Sequence, residues 1–371
     1  MDDCHYVDLV ELSIDVRLFL GEVLLNMGIQ TRHFVPLIIN GVDIHLTAGA
    51  STFEPESLSA ASRSQTTTIA QGADIESCHA AVNSSAQAFD SWRQTSAIAK
   101  RALLLRLADL VKTKAKEIHA IIQDEVHGTS LWATINVQES ILMIEEMAAL
   151  VTSPSLSGFL PPIQNTDSHA LVLVEPLGVI LGIAPWNSPL ILGFRAVLPA
   201  IAAGNTTILK GSELSPRTHY WIASQFREAG FPPGVCNFLL HRGEDAARVF
   251  ETIIERPEVR KCNFTGSTPV GRAIASRAAA ALKPCLMELG GKNFALVLED
   301  ADLQSAAKLV CEGAFLNVSR QFFTCASEDL FKKRWPTDMR NFRVDKFVCR
   351  LIRFSSLVLF WQNFEKLCCP T

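Results

Sequence analysis

Between Gly178 and Glu288 the sequence repeats one unit, a short apolar run followed by a turn and a helical pattern, and this constrains the fold more than any other feature. Val179 to Ala184 reads as a strand, Leu190 to Ala203 as an apolar helix, and Thr206 to Leu209 as a second strand. Pro216 to Ala229 follows as a helix, with Ser215 as its expected cap and Gly230 as its stop. Val235 to Leu240 is a third strand, Glu244 to Glu255 a helix, and Lys261 to Phe264 a fourth strand. Pro269 to Leu282 closes the series as a helix with Val270, Ile274, Ala278 and Ala281 on one face. Such alternation predicts an α/β fold, a doubly wound parallel sheet of Rossmann-like type, whose ligands bind at strand C-terminal ends.

The flanking segments carry weaker patterns. Residues 1 to 32 read as an N-terminal helical extension, and Pro36 to Gly41 as a strand ending in a turn. Asp74 to about Gly128 holds two helical patterns, the second with Leu103, Leu107 and Leu110 at helical spacing. Phe159 to Glu175 alternates around Pro161-Pro162 and the turn signals Asn165 to Asp167, which predicts a hairpin.

An apolar share of 48% with 19% charged residues excludes disorder, coiled coil and collagen. A net charge of −4 provides no field for nucleic acid or anionic lipid, so small-molecule partners are expected. The 19 residues from Pro176 to Phe194 lack any charge, but Pro176, Pro185, Pro189, Gly178, Gly182 and Asn187 predict a buried strand and turn rather than a membrane span. The ten cysteines form no C-x-x-C pair and no His stands at zinc-finger spacing, so no metal is expected. The acids Asp2, Asp3, Asp8, Glu11 and Asp15 do not suit a signal or transit peptide, and a cytoplasmic location is expected.

Four short segments could carry chemistry. In Phe264-Thr265-Gly266-Ser267-Thr268-Pro269-Val270-Gly271, Thr268 can cap the next helix and Gly266 can let a ligand reach the backbone; the segment is either a phosphate site or an ordinary strand-to-helix turn. Lys210 and Glu213 could together grip a ribose diol, the carboxylate repelling a 2′-phosphate, or could be solvated charges on a surface loop. In Pro185-Trp186-Asn187-Ser188-Pro189 the two prolines hold one amide that could donate to an oxyanion, although Asn is also common in plain turns. Glu288 follows the apolar Cys285 to Met287 and precedes Gly290-Gly291; desolvation there would raise its pKa toward that of a general base, while the alternative is pairing with Lys292.

In this order and spacing, P-W-N, K-x-x-E, F-T-G-S-T-x-x-G and E-L-G-G-K-N resemble the NAD(P)-dependent aldehyde dehydrogenase superfamily, over about residues 35 to 317. The resemblance implies oxidation of an aldehyde to its acid through a cysteine thiohemiacetal and thioester. It implies Asn187 as oxyanion donor and Lys210 and Glu213 as ribose ligands of NAD, with NADP disfavoured. Trp186, Gly266, Ser267, Gly271 and Leu289 are implied as further cofactor contacts, and Glu288 as the base for the hydrolytic water. The small residue after Asn187 resembles members acting on aromatic aldehydes such as vanillin or salicylaldehyde. On this reading residues 33–157 and 177–288 form the dinucleotide-binding domain, 158–176 a hairpin joining a homo-oligomer, and 289–317 the start of an incomplete second domain.

The sequence departs from that pattern after Asn317. The position that family spacing assigns to the nucleophile is Phe322; the nearest thiol, Cys325, follows three residues later without the usual glycine. Cys311 shares a helical face with Ala307 and Ala314 and reads as core. Residues 318–371 contain none of the 20 glycines and carry ten Lys and Arg against five Asp and Glu, an off-family tail that is not expected to form a folded domain. Impaired catalysis follows as an expectation. The alternative is a non-catalytic dinucleotide-binding remnant or a partner subunit of intact homologues.

Overall fold

The computed structural model describes residues 31–45, 52–55, 66–164, 168–291, 300–302 and 304–309. The expectations for residues 1–30, the Asn165 to Asp167 turn, Cys311, Cys325 and the 318–371 tail lie outside these residues. Contacts divide the chain into two units, one of residues 1–58 and 63–290, the other of 59–62 and 291–371.

In the first unit the chain opens with β1 (Thr31–Val35), β2 (Leu37–Ile39) and β3 (Val42–Ile44). Thr31 and Arg32 thus begin a strand, which corrects the helical extension at its last two residues. The turn between β2 and β3 places Asn40 at φ 53° and Gly41 at φ 74°, the left-handed pair that a tight hairpin needs. After β4 (Thr52–Phe53) and β5 (Thr66–Gln71) come α1 (Ile75–Trp92), α2 (Ala97–Thr113), α3 (Ala115–Val126) and α4 (Ser130–Leu150). Asp74 and Ser77 close a reciprocal cap at the start of α1. Where two helical patterns were expected there are three, because the chain turns at Lys114 with no Gly or Pro to mark the break. Helix α4 carries no sequence expectation at all.

The repeating region gives β6 (Val179–Ile183), α5 (Pro189–Ala202), β7 (Thr206–Lys210), α6 (Pro216–Glu228), β8 (Cys236–Leu239), α7 (Ala246–Ile254), β9 (Val259–Gly266), α8 (Thr268–Ala280) and β10 (Cys285–Leu289). The large sheet has the order β10-β9-β6-β7-β8-β2-β3. Its five strands from β10 to β8 run parallel, while β2 and β3 join antiparallel. The order reverses between β6 and β9, the switch point at which doubly wound sheets open a crevice. Helices α5 and α6 pack on one face and α1, α7 and α8 on the other. This double cover explains why all five residues of β6 are buried. Gly182 is required there: a Cβ would lie 2.5 Å from the Ala196 carbonyl oxygen of α5. On α8, Ile274 and Ala278 are buried as expected, whereas Val270 is exposed.

The smaller sheet has the order β1-β5-β4. Phe159 and Val172 form an antiparallel bridge with two backbone hydrogen bonds of 3.0 and 2.9 Å, within the segment expected to be a hairpin. No described helix is long and apolar enough to cross a membrane. In the second unit residues 304–309 are helical, and the Asp302 carboxylate caps them by accepting the Ser305 N–H at 2.7 Å.

Candidate active site

Strand register places all four chemical segments at one edge of the sheet. Lys210 lies opposite Ile183 and Leu239, and Ile183 opposite Phe264, which itself lies opposite Met287. Asn187 follows Ile183 by one turn, Glu213 follows Lys210, Gly266 follows Phe264 and Glu288 follows Met287. These are strand C-terminal ends flanking the switch point.

The Pro185 to Pro189 turn is held from beneath by α4. The Trp132 indole N–H donates to the Asn187 carbonyl at 3.0 Å, and the Ser188 hydroxyl donates to the Asn136 side-chain oxygen at 3.0 Å. Asn136 in turn donates to the Trp132 carbonyl one helical turn earlier, at 3.0 Å. Asn187 is buried, yet its amide has no protein hydrogen-bond partner among the described residues. The turn is therefore fixed through its backbone, and the amide is left to bind something else. Trp186 is partly buried against the core.

Lys210 ends β7 without forming an ion pair to Glu213 among the described residues. Burial pulls the Lys210 ammonium below the ordinary lysine value, and Glu213 opposes that shift. The loop beyond is anchored by His219 of α6, whose Nδ1 accepts the Ser212 N–H at 2.9 Å. Burial first, and Lys210 second, push the His219 pKa down to about 3. His241, after β8, is likewise lowered to about 4 by burial and Lys210, against the Arg242 carbonyl, Glu213 and Asp245.

Ser215 occupies the cap position of α6, but its side chain makes no capping bond. The cap comes from Glu125 at the end of α3, whose carboxylate accepts the Arg217 N–H at 2.5 Å, the Thr218 N–H at 2.8 Å and the Thr218 hydroxyl at 2.6 Å. A full carboxylate is a stronger acceptor for the helix end than a hydroxyl, and no local pattern reveals it.

At the next turn Thr268 is the first residue of α8 rather than its cap. Its hydroxyl donates to the Gly290 carbonyl at 3.3 Å, and Ser267 takes the cap position without a capping bond. The helix end thus keeps the N–H groups of Thr268 and Val270 without a side-chain acceptor among the described residues. The space beside Gly266 is filled from inside, since a Cβ there would lie 2.5 Å from the Phe264 ring; one on Gly271 would lie 2.4 Å from Leu289. These glycines permit close packing, and the open groups of the turn are its N–H donors.

Glu288 lies opposite Thr265 on β10. Its side chain is 53% exposed and pairs with Arg195 of α5 at 3.0 Å. This corrects the expected desolvation of the carboxylate; the alternative partner, Lys292, lies outside the described residues. The apolar run before Glu288 was expected to desolvate it, but β10 is the last strand of the sheet among the described residues. Arg195 lies in the second turn of the helix that starts at Pro189, so one helix connects the Asn187 turn to Glu288.

Residues 49–328 match the model of the aldehyde dehydrogenase family. The chain belongs to the aldehyde dehydrogenase family. It is 43% identical over 245 residues to a vanillin dehydrogenase of Pseudomonas sp. (strain HR199 / DSM 7063), a match covering 66% of this chain and 50% of that protein. The crystal structure of a salicylaldehyde dehydrogenase from Pseudomonas putida G7 complexed with salicylaldehyde superposes with a TM-score of 0.74 at 33% identity, over 86% of this chain and 63% of that one. An NAD-dependent aldehyde dehydrogenase from Sinorhizobium meliloti gives a TM-score of 0.70 at 30% identity, over 78% and 56%. The chain spans about half the length of the curated relatives it matches.

Cys325 falls inside the matched range but outside the described residues. Burial pushes Cys78 and Cys236 up to about 12, which excludes them as thiolates near neutral pH. Cys262 and Cys285 face each other across β9 and β10. The described residues hold no cluster of three or more His, Cys, Asp or Glu able to bind a metal.

Sequence reasoning missed Trp132, Asn136, Glu125, His219, His241 and Arg195. A Trp and an Asn four residues apart in a helix were the one readable signal, since Asn is a poor choice for a helix interior unless its side chain is used.

Proposed function

We propose that the chain binds NAD at this sheet edge and oxidises an aldehyde, of the aromatic class, to its carboxylic acid. The observation that carries the reading is the convergence of Asn187, Lys210, Glu213, Glu288 and the uncapped start of α8 on the switch point between β6 and β9. The donor chemistry suits a dinucleotide: Lys210 and Glu213 for ribose hydroxyls, the α8 N–H groups and Ser267 for phosphate, with Trp186, Gly266, Gly271 and Leu289 shaping the contact. When bound, the nicotinamide supplies a hydride acceptor. Glu213 favours NAD over NADP because a 2′-phosphate would meet a carboxylate.

In this reading the Asn187 amide donates to the aldehyde oxygen as it gains charge, and Cys325 is the thiol that attacks the carbonyl carbon. Glu288 takes a proton from the water that releases the acid, moving off Arg195 to do so. Residues 33–157 and 177–288 form the dinucleotide-binding domain, 289–317 open a second domain, and the chain works in the cytoplasm. The segment 158–176 joins copies into a homo-oligomer; exposed Phe159, Leu160, Leu171 and Leu173 support this. NADH formation with benzaldehyde against acetaldehyde tests the activity, with Cys325→Ala expected to abolish it. NAD binding without turnover favours the second reading, a dinucleotide-binding protein whose thiol half is impaired.

A further inference from the structure

We propose that His219 is a positioning residue that locks the Asn187 turn to the Lys210–Glu213 loop, and so sets affinity for the adenosine end of NAD. This rests on the cofactor reading above. His219 sits one turn into α6, fully buried. Its Nδ1 accepts the Ser212 N–H at 2.9 Å, with the Ser215 hydroxyl at 3.4 Å. Ser212 lies between Lys210 and Glu213, and its own hydroxyl accepts the Leu214 N–H at 3.2 Å. One imidazole therefore fixes the turn that aims the carboxylate.

The other side of the ring meets the Asn187 turn. Nε2 faces the Pro189 carbonyl without closing a hydrogen bond of normal geometry. The ring is wedged between two glycines: a Cβ on Gly193 would lie 3.0 Å from Cδ2, and one on Gly211 would lie 2.9 Å from Cβ and 3.1 Å from Nδ1. Gly193 lies one turn into α5, four residues after Pro189, and Gly211 directly follows Lys210. Both glycines thus leave room for this ring, which shares the space with Ile222 at Gly193 and with Phe238 at Gly211.

The tautomer follows. Because Nδ1 is an acceptor, the neutral ring carries its proton on Nε2, toward the Pro189 carbonyl. Lys210 is the charged group acting on it, and burial with that charge keeps the ring neutral. His219 touches no reacting atom in this arrangement and moves no proton. Its contribution is to hold Glu213 before the nucleotide arrives, so ordering that loop does not have to be offset by binding.

The test compares His219→Asn, whose side-chain oxygen can replace Nδ1, with His219→Gln and His219→Leu, which cannot. NAD titration by calorimetry on the full chain should show binding by His219→Asn within about twofold of the unsubstituted chain, and a loss of about three- to tenfold in the other two, the range of one buried hydrogen bond. Amide hydrogen exchange at Ser212, followed without nucleotide, should stay slow in His219→Asn and become fast in His219→Gln. Equal NAD affinity in all folded variants, or unchanged exchange in His219→Gln, overturns the proposal. A chain that binds no NAD while exchange follows the expected pattern leaves the anchor standing and refutes the cofactor reading instead.

Discussion

The loop after β7 and the end of β10 both carry a carboxylate that the family pattern singles out, but they are built differently. β7 lies between two parallel neighbours and its loop is tied down by His219, with Glu125 capping the helix beyond. Among the described residues β10 has one neighbour, β9, and Glu288 is held by one half-exposed ion pair. Positions in the first region are fixed by buried hydrogen bonds, each costly to leave unmade, whereas an exposed ion pair contributes little and leaves its carboxylate free to move. A group that must only grip belongs in the first setting. One that must exchange a proton with water belongs in the second.

The largest expected effect contrasts the two strands directly. Leu209→Ala in β7, where the side chain is fully buried, should cost about 2–5 kcal/mol in denaturant unfolding, while Leu286→Ala in β10, 52% exposed, should cost under about 0.5 kcal/mol. Equal losses would erase the distinction.

Acid should attack the first region. Unfolded histidine takes its proton near pH 6.5, but His219 and His241 do so only near 3 and 4. The unfolded chain therefore binds more protons in that window, so this stability is complete above pH 6.5 and is lost as pH falls toward 3, at about 1.4 kcal/mol per pH unit for each histidine. His219→Asn should reduce the slope of unfolding free energy against pH by one proton's worth; an unaltered slope would mean that the ring is not held neutral.

Glu125→Ala should cost about 1–3 kcal/mol, because it strips α6 of its cap and leaves two N–H groups unmet. Ser215→Ala, by contrast, should leave the thermal melt nearly unchanged, and a larger loss there would restore the cap to Ser215. A small effect is also expected of Arg195→Ala, at about 0–1 kcal/mol and weaker still in high salt. A salt-independent loss would show that Glu288 is more enclosed than the geometry has it.

The sheet was legible because its central strands are continuous apolar runs punctuated by Pro and Gly, the pattern that burial on both faces demands. Helix α4 was not, since its start at Thr129 lies beside a lone Gly128 and apolar residues surround most of its length. The Ser215 cap failed because a local rule names the nearest hydroxyl, while folding brought Glu125, 92 residues from Arg217, to the start of that helix; at Thr268 the helix begins one residue earlier than expected, with Ser267 at the cap position. The exposure of Glu288 was equally unreadable, since whether a strand sits at an edge depends on its neighbours and not on its own residues. The chemical segments themselves were visible, because each is short and lies where a strand ends.

Calorimetric titration of NAD into the full chain, repeated with Lys210→Met, tests the shared site most directly. The account predicts saturable binding at one molecule per chain that Lys210→Met weakens severely. Heat that never saturates, or equal binding by both proteins, would contradict it.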